Sequence, residues 1–270
     1  MTISQFISGA GLGLAAGVLG GLAGVGGSMI ILPGLHWMKV AGGGGDPTVA
    51  VHHLYMAAAM VTNIAVALPA AMQHKAAGAV RKDLLQPLLI SSTVGVLVGV
   101  TMGNQVAGVW LKWLLGGFLV AYCVYNLIKL SGKAGGDGDS RKRGRVGMLT
   151  LVACGGVTGT VGGLLGLGGG VILVPLLQMV CGVKLRESIA TSSSIIWITA
   201  IIGATYKLVT LSQHGQSAWV ALAIAAALAP TAVVGSKIGA WLTHALPVPV
   251  VRAVITAVLV VAAMKLFGVF

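Results

Sequence analysis

Two stretches of the chain share a glycine-rich pattern whose chemistry would come from the main chain. Residues 20–33 read GGLAGVGGSMIILP, and residues 162–175 read GGLLGLGGGVILVP. Glycine lets a chain leave the helical conformation, so the amides that open the next helix lack hydrogen-bond partners. Such amides carry partial positive charge and attract anions. Each stretch therefore predicts one half of an anion-binding site.

Two facing groups of unpaired amides could hold a small oxyanion without the help of a lysine side chain. The alternative is that the glycines only let neighbouring helices pack closely. A proline follows each glycine pattern, at Pro33 and Pro175, and the duplication of the whole pattern favours an interrupted helix. The binding residues expected from the two stretches are Gly24, Gly26, Gly27, Ser28, Gly166, Gly168, Gly169 and Gly170.

The composition is that of a polytopic membrane protein. Of the 270 residues, 57% are hydrophobic and only 8% are charged, and the mean hydropathy is +0.98. A soluble domain has about a quarter of its residues charged. The net charge of +12 then indicates loops that face the cytoplasm and not a nucleic-acid surface. Because the apolar runs do not alternate every second residue, they predict helices and an all-α fold.

Ten apolar segments can be distinguished along the chain. They span 6–22, 29–40, 49–72, 84–102, 106–130, 148–165, 171–180, 188–211, 218–243 and 249–267. The opening pair of each half would form one full span and one partial, re-entrant span, so the total counts as eight to ten helical segments. Residues 131–146 are rich in glycine and charge and predict a cytoplasmic linker. This linker would join a first membrane repeat, 1–130, to a second, 147–270.

Loop charges indicate that the two repeats are inverted. Residues 74–83 read HKAAGAVRKD, whereas the matching residues 212–217 read SQHGQS, without lysine or arginine. Conversely, the loop near residue 45 is almost uncharged, and its counterpart at 181–188 reads CGVKLRES. Since basic loops face the cytoplasm, matching loops lie on opposite sides, and both termini are expected in the periplasm. Inverted repeats with interrupted helices are typical of transporters, whose substrate sits near the bilayer midplane.

Two further side chains inside the apolar segments are candidates for that site. Asn63 lies within the third segment, where an amide side chain needs a partner. Trp197 lies deep in the eighth segment and could line a cavity. All aspartate and glutamate residues fall in predicted loops. This pattern argues against a carboxylate proton relay and against a cation pump.

The duplicated pattern GGLxGxGGxxIxxP, with the second copy followed by ESIATSSS, resembles the TauE/SafE sulfite exporter family. The resemblance covers nearly the whole chain. It implies a carrier in the bacterial inner membrane that exports sulfite, a small organosulfonate or a related sulfur-containing anion by alternating access. The expected partners are this small anion and the lipid bilayer, with no nucleic acid and no cofactor. Whether two copies form a homodimer stays open.

The resemblance also places a polar cluster after each glycine pattern. In the second half this cluster includes Thr191, Ser192 and Ser193, but the matching place in the first half holds His52 and His53. A histidine can donate hydrogen bonds as a hydroxyl does, and it titrates at about pH 6.5. We hypothesise that His52 or His53 contributes to anion binding or to proton linkage. The alternative is that each faces a loop or the headgroup region.

Three other classes of function stay open on the residues alone. Ser28 with His53 could form a protease nucleophile and base, although GGSMI is not the usual GxSxG turn. His36, His52 and His53 could carry a metal ion, but histidines without acids or thiols make weak ligands. A channel is the third alternative. We expect no enzyme activity and no resident metal, and the three cysteines, which lack CxxC spacing, predict reduced thiols.

Overall fold

The structure, a computed structural model, describes residues 3–38, 49–103, 109–131 and 146–266. This part of the chain forms ten α-helices, with a 3₁₀ turn over Leu211–His214 after the eighth. The helices are α1 (Ile3–Ala23), α2 (Ser28–Met38), α3 (Val49–Ala76), α4 (Lys82–Gly103), α5 (Val109–Ser131), α6 (Met148–Leu165), α7 (Gly170–Met179), α8 (Leu185–Thr210), α9 (Ala218–Ala245) and α10 (Val248–Leu266).

The predicted all-helical membrane fold is confirmed. Among the described helices, α3, α4, α6, α8 and α9 are long and apolar enough to cross a bilayer. In contrast, α2 has 11 residues and α7 has 10, which is about 15 Å each and half of the hydrocarbon thickness. These two are the partial spans expected from the sequence. Both termini and most of the predicted linker, residues 132–145, lie outside the described residues.

Each half opens with a helical hairpin that is broken at the glycine pattern. A side-chain atom on Gly34 of α2 would meet Leu12 of α1, and one on Gly27 would lie 3.6 Å from Ala16. Thus α2 folds back along α1. In the second half, Gly162 of α6 lies against Gly169, just before α7. We call the two turns, residues 24–27 and 166–169, tip 1 and tip 2.

Both interpretations of the glycines hold, for different glycines. Every fourth residue of α1 from Gly13 to Gly21 is a glycine that lies against the main chain or small side chains of α9. In the same way, Gly155, Gly159 and Gly163 of α6 lie against α4. These helical glycines allow close helix packing. The first helix of each half therefore packs on the fourth helix of the other half.

The third helices of the two halves, α3 and α8, run in opposite directions. His53 near the start of α3 has its Nδ1 atom 2.7 Å from the Nζ atom of Lys207 near the end of α8. Halfway along, Asn63 of α3 and Ile196 of α8 both lie beside Gly168 of tip 2. Opposite directions are what an inverted pair requires. The inverted relation of the complete repeats stays a prediction.

Replacing Gly159 with leucine is expected to destabilise the fold, because its side chain would enter the backbone of α4 at Ser92. Overpacking of this kind costs about 1–3 kcal/mol or more, so the melting temperature in detergent should fall by about 5 °C. The matched control is Gly156→Leu on the same helix, where nothing lies within 4 Å of an added Cβ atom. Equal melting temperatures for the two variants would contradict the assigned helix packing.

Candidate anion site

The two tips meet at the middle of α3, on either side of Asn63. The main-chain N–H of Gly27 donates to Asn63 Oδ1 at 2.7 Å. On the other side, a Cβ atom on Gly168 of tip 2 would collide with Asn63 Nδ2. Asn63 itself has no exposed surface. Its side-chain amide therefore joins the two glycine patterns in the protein interior.

The amide nitrogen of Asn63 is a buried donor without a hydrogen-bond partner among the described residues. Leaving such a group unpaired costs about 1–3 kcal/mol, and buried polar groups are paired in nearly all proteins. An N–H donor pairs with an acceptor, and an anion is the strongest acceptor. The geometry at Asn63 therefore suits a small negative ligand.

Main-chain donors surround the same place. Gly170, the first residue of α7, lies against Gly24 and Val25 of the opposite hairpin, since a Cβ atom there would be 2.9 Å from the Gly24 carbonyl oxygen. The first amides of α2 and of α7, at Ser28 and Gly170, have no recorded hydrogen bond within the described residues. Helix N-termini with free amides favour anions. Two of them here converge beside an unpaired side-chain donor.

The hydroxyl groups near the tips brace the hairpins. Ser28 Oγ donates to the Ala59 carbonyl of α3 at 3.1 Å, and Ser192 Oγ of α8 donates to the Gly24 carbonyl at 2.8 Å. Thr191 Oγ1 accepts the main-chain N–H of Arg81, just before α4, at 3.1 Å. All three hydroxyl groups therefore hold a turn or a helix end in place.

The remaining predicted residues of the second half lie on α8 or in tip 2. Ser193 is buried and Trp197 is half-buried, and neither is bonded to Asn63. Gly166 and Gly169 have φ angles of +67° and +86° and form the turn itself. Gly166 lies against Met56, an apolar wall residue that carries no motif and that the sequence did not single out.

The structure does not bring His52 and His53 to the tips. They precede Asn63 on α3 by about ten residues, which is about 15 Å of helix. Instead, His52 Nδ1 lies 2.9 Å from His36 Nε2. His53 bonds to Lys207, and its ring lies 3.9 Å from that of His214 between centroids, tilted by 41°. These contacts place the two histidines in a separate polar group near the start of α3, and their contribution to anion binding or proton linkage stays a prediction.

Neither alternative chemistry gains support from the geometry. The Ser28 hydroxyl donates to a carbonyl of α3, and His53 is engaged by Lys207, so the two do not form a nucleophile and base pair. The described residues contain no group of three or more side chains able to hold a metal ion.

A comparison with protein-family models matches residues 9–266 to the family described as Sulfite exporter TauE/SafE. The chain belongs to the TauE/SafE family. The resemblance found in the duplicated glycine pattern is therefore confirmed over nearly the whole chain. No solved structure matches the chain.

Similar curated proteins of this family carry names of transporters, not of enzymes. The probable membrane transporter protein MamO of Paramagnetospirillum magneticum is 28% identical over 94% of this chain. The chain spans only 43% of that relative's length. The probable membrane transporter proteins MJ0441 of Methanocaldococcus jannaschii and YunE of Bacillus subtilis are 25% and 24% identical, and the chain spans 82% and 97% of their lengths.

Removing the hydroxyl of Ser192 is expected to loosen tip 1. Ser192→Ala leaves the Gly24 carbonyl without its 2.8 Å donor, a loss of about 1 kcal/mol. If the tips bind a transported anion, its flux should fall about fivefold. Ser194→Ala is the matched control, because that hydroxyl only bonds the Ala190 carbonyl of its own helix. Flux in proteoliposomes checks both variants. Equal flux in the two variants would show that the Ser192 hydroxyl does not stabilise tip 1.

Proposed function

We propose that this TauE/SafE chain is a secondary transporter of a small sulfur-containing anion, such as sulfite or an organosulfonate, with its binding site at Asn63 and the two tips. The observation that carries the proposal is the buried Asn63 Nδ2 atom, an unpaired donor between two interrupted helices. A membrane site made of amides binds anions without the desolvation cost of a lysine. The family name and the transporter names of the relatives support the same class of function.

The proposed mechanism is alternating access around this site. The hairpins belong to opposite halves of the sequence, and Gly24 of tip 1 lies against Gly170, the first residue of α7. A small movement of one hairpin would open the anion site to one side of the membrane, while the other hairpin keeps the site closed to the opposite side. Polar main-chain groups that leave a helix at membrane depth are tolerated where they line such a cavity.

We also propose an orientation in a bacterial inner membrane with residues 131–146 in the cytoplasm and both termini in the periplasm. Its support is that the loop between α3 and α4 and the loop between α7 and α8, both basic, lie at the same end of the molecule. Arg81, between α3 and α4, bonds Asp83 at 2.6 Å and lies 3.4 Å from Glu187 at the start of α8. These carboxylates, Asp83 first, raise the pKa of Arg81 above its ordinary value. Lys82, Lys184 and Arg186 add positive charge beside them, and basic loops are retained on the cytoplasmic side.

Flux of labelled anions into proteoliposomes tests the proposed function. Sulfite, thiosulfate, sulfate and an alkanesulfonate are offered separately, with chloride for comparison. The expected result is saturable uptake of at least one sulfur-containing anion, with counter-transport by the same anion inside. Flux that rises linearly without counter-transport would indicate a channel. The proposal is overturned if none of the four anions shows saturable flux.

A further inference from the structure

A second group of polar side chains is buried between α5, α7 and α10, away from the tips. Arg252 of α10 donates from Nη1 to Asn126 Oδ1 of α5 at 2.9 Å and lies 3.5 Å from Gln178 Oε1 of α7. Gln178 Nε2 in turn donates to the Tyr122 hydroxyl at 2.7 Å. All four side chains are buried, Arg252 with 7% of its surface exposed and the others with 5% or less.

This cluster is separate from the candidate transport site. Gln178 lies one residue before the end of α7, and eight residues from Gly170, which is about 12 Å along the helix. Asn126 lies near the end of α5, and Arg252 lies in the second turn of α10. The cluster thus lies near the C-terminal ends of α5 and α7 and the N-terminal end of α10.

The cluster holds a positive charge that no described carboxylate neutralises. The two carboxylates in the described residues, Asp83 and Glu187, both contact Arg81. Within that same part of the chain, no hydrogen bond is recorded from Arg252 Nε or Nη2. A buried cation without a counter-charge is strongly unfavourable, so the arrangement calls for an anion.

Asn126 supplies an independent sign of a ligand. Its Oδ1 atom accepts from Arg252, while its Nδ2 atom is buried and has no partner among the described residues. The guanidinium, the two amides and the phenol together carry many more donor hydrogens than acceptor atoms. A group with excess donors and a net positive charge binds oxyanions, and arginine does so through two parallel N–H groups.

We propose that Arg252, Asn126, Gln178 and Tyr122 form a second anion site that binds a sulfur or phosphorus oxyanion. Two sources share this chemistry: a free oxyanion from the adjacent aqueous phase and the phosphate of an anionic lipid headgroup. Exposed apolar side chains beside Asn126, at Leu127 and Ile128, bring lipid close to the cluster. The proposal does not rest on the function proposed for the tips.

The test measures binding to the purified full chain in nanodiscs. One arm titrates sulfate in discs of neutral lipid and follows thermal stabilisation. The second arm adds phosphatidylglycerol and counts the lipid molecules retained in native mass spectrometry. Both arms use the Asn63→Asp background as well as the original chain, so that sulfate binding at the tips is separated from binding at Arg252.

We expect the original chain to bind sulfate, phosphatidylglycerol or both, and we expect Arg252→Gln to weaken that binding at least tenfold. Arg252→Lys should retain part of it, and Asn126→Leu should weaken it without removing the charge. Lys237→Gln, at an exposed lysine of α9, is the control that changes net charge equally and should leave binding unaltered. Melting temperatures without ligand identify any variant that fails to fold, and Asn126→Leu then carries the test.

Two results would overturn the proposal. One is equal binding of sulfate and of phosphatidylglycerol by Arg252→Gln and Lys237→Gln. The other is the absence of sulfate stabilisation and of retained phosphatidylglycerol in the original chain.

Discussion

Replacing Asn63 with aspartate is expected to abolish anion flux while the protein still folds. In the unmodified chain the Gly27 N–H donates to Asn63 Oδ1 at 2.7 Å. The aspartate keeps an oxygen at this position, so tip 1 keeps its hydrogen bond to α3. At the position of Nδ2, however, a donor becomes a negatively charged oxygen. Two like charges about 4 Å apart repel by about 4 kcal/mol at the effective dielectric constant of a protein. Anion affinity should therefore fall at least about a hundredfold.

Thr62→Val is the matched control for this substitution. Thr62 is the preceding residue of α3, is equally buried, and uses its hydroxyl for the Ala58 carbonyl of its own helix at 2.8 Å. Its flux should stay close to that of the unmodified chain. Asn63→Leu gives a second reading, since it removes the donor without adding charge and should lose less affinity than Asn63→Asp. Unchanged saturable flux in Asn63→Asp would disprove the assignment of Asn63 to the anion site.

Replacing Gly168 with alanine is expected to lower anion affinity by adding a single methyl group beside Asn63. Gly168 has a φ angle of +70°, which costs an alanine about 1–2 kcal/mol. Its Cβ atom would also collide with Asn63 Nδ2 and push the amide away from the ligand. The loss of one charge-assisted hydrogen bond corresponds to a fall in affinity of about tenfold to a hundredfold.

Gly215→Ala separates backbone strain from crowding. Gly215 ends the 3₁₀ turn after α8 with a φ angle of +68°, and nothing lies within 4 Å of an added Cβ atom. Both alanine variants should therefore lower the melting temperature, and Gly168→Ala should lower it more because its methyl group also collides with Asn63. Only Gly168→Ala should lose anion affinity, measured as the concentration for half-maximal flux. If Gly215→Ala loses as much affinity, strain and not contact with Asn63 explains the effect.

The helix breaks could be predicted from the sequence because they depend on local properties. The duplicated pattern locates both turns, since glycine is the residue that adopts positive φ angles without strain; Gly26 and Gly168 do so. The same spacing could not separate the turn glycines from the packing glycines. Gly159 packs on α4, and which helix faces it is decided by a partner far away in the sequence.

The polar residues show the limit of sequence reasoning more clearly. Asn63 was identified because a lone amide in an apolar segment needs a partner, yet its position between the tips depends on how both hairpins pack. The sequence pattern places His53 with the hydroxyl cluster, but His53 contacts Lys207 where the start of α3 meets the end of α8. Arg252 and Asn126 are separated by 126 positions in the chain, and no local pattern connects them.

The sequence by itself determined the membrane class, the family, the helical segments and the two interrupted helices. These follow from hydropathy and backbone freedom, which each short stretch carries on its own. Only the tertiary structure decided that the two tips converge on Asn63 and that the histidines lie elsewhere. The physical reason is that contacts between distant helices depend on crossing geometry and on side-chain packing over the whole bundle.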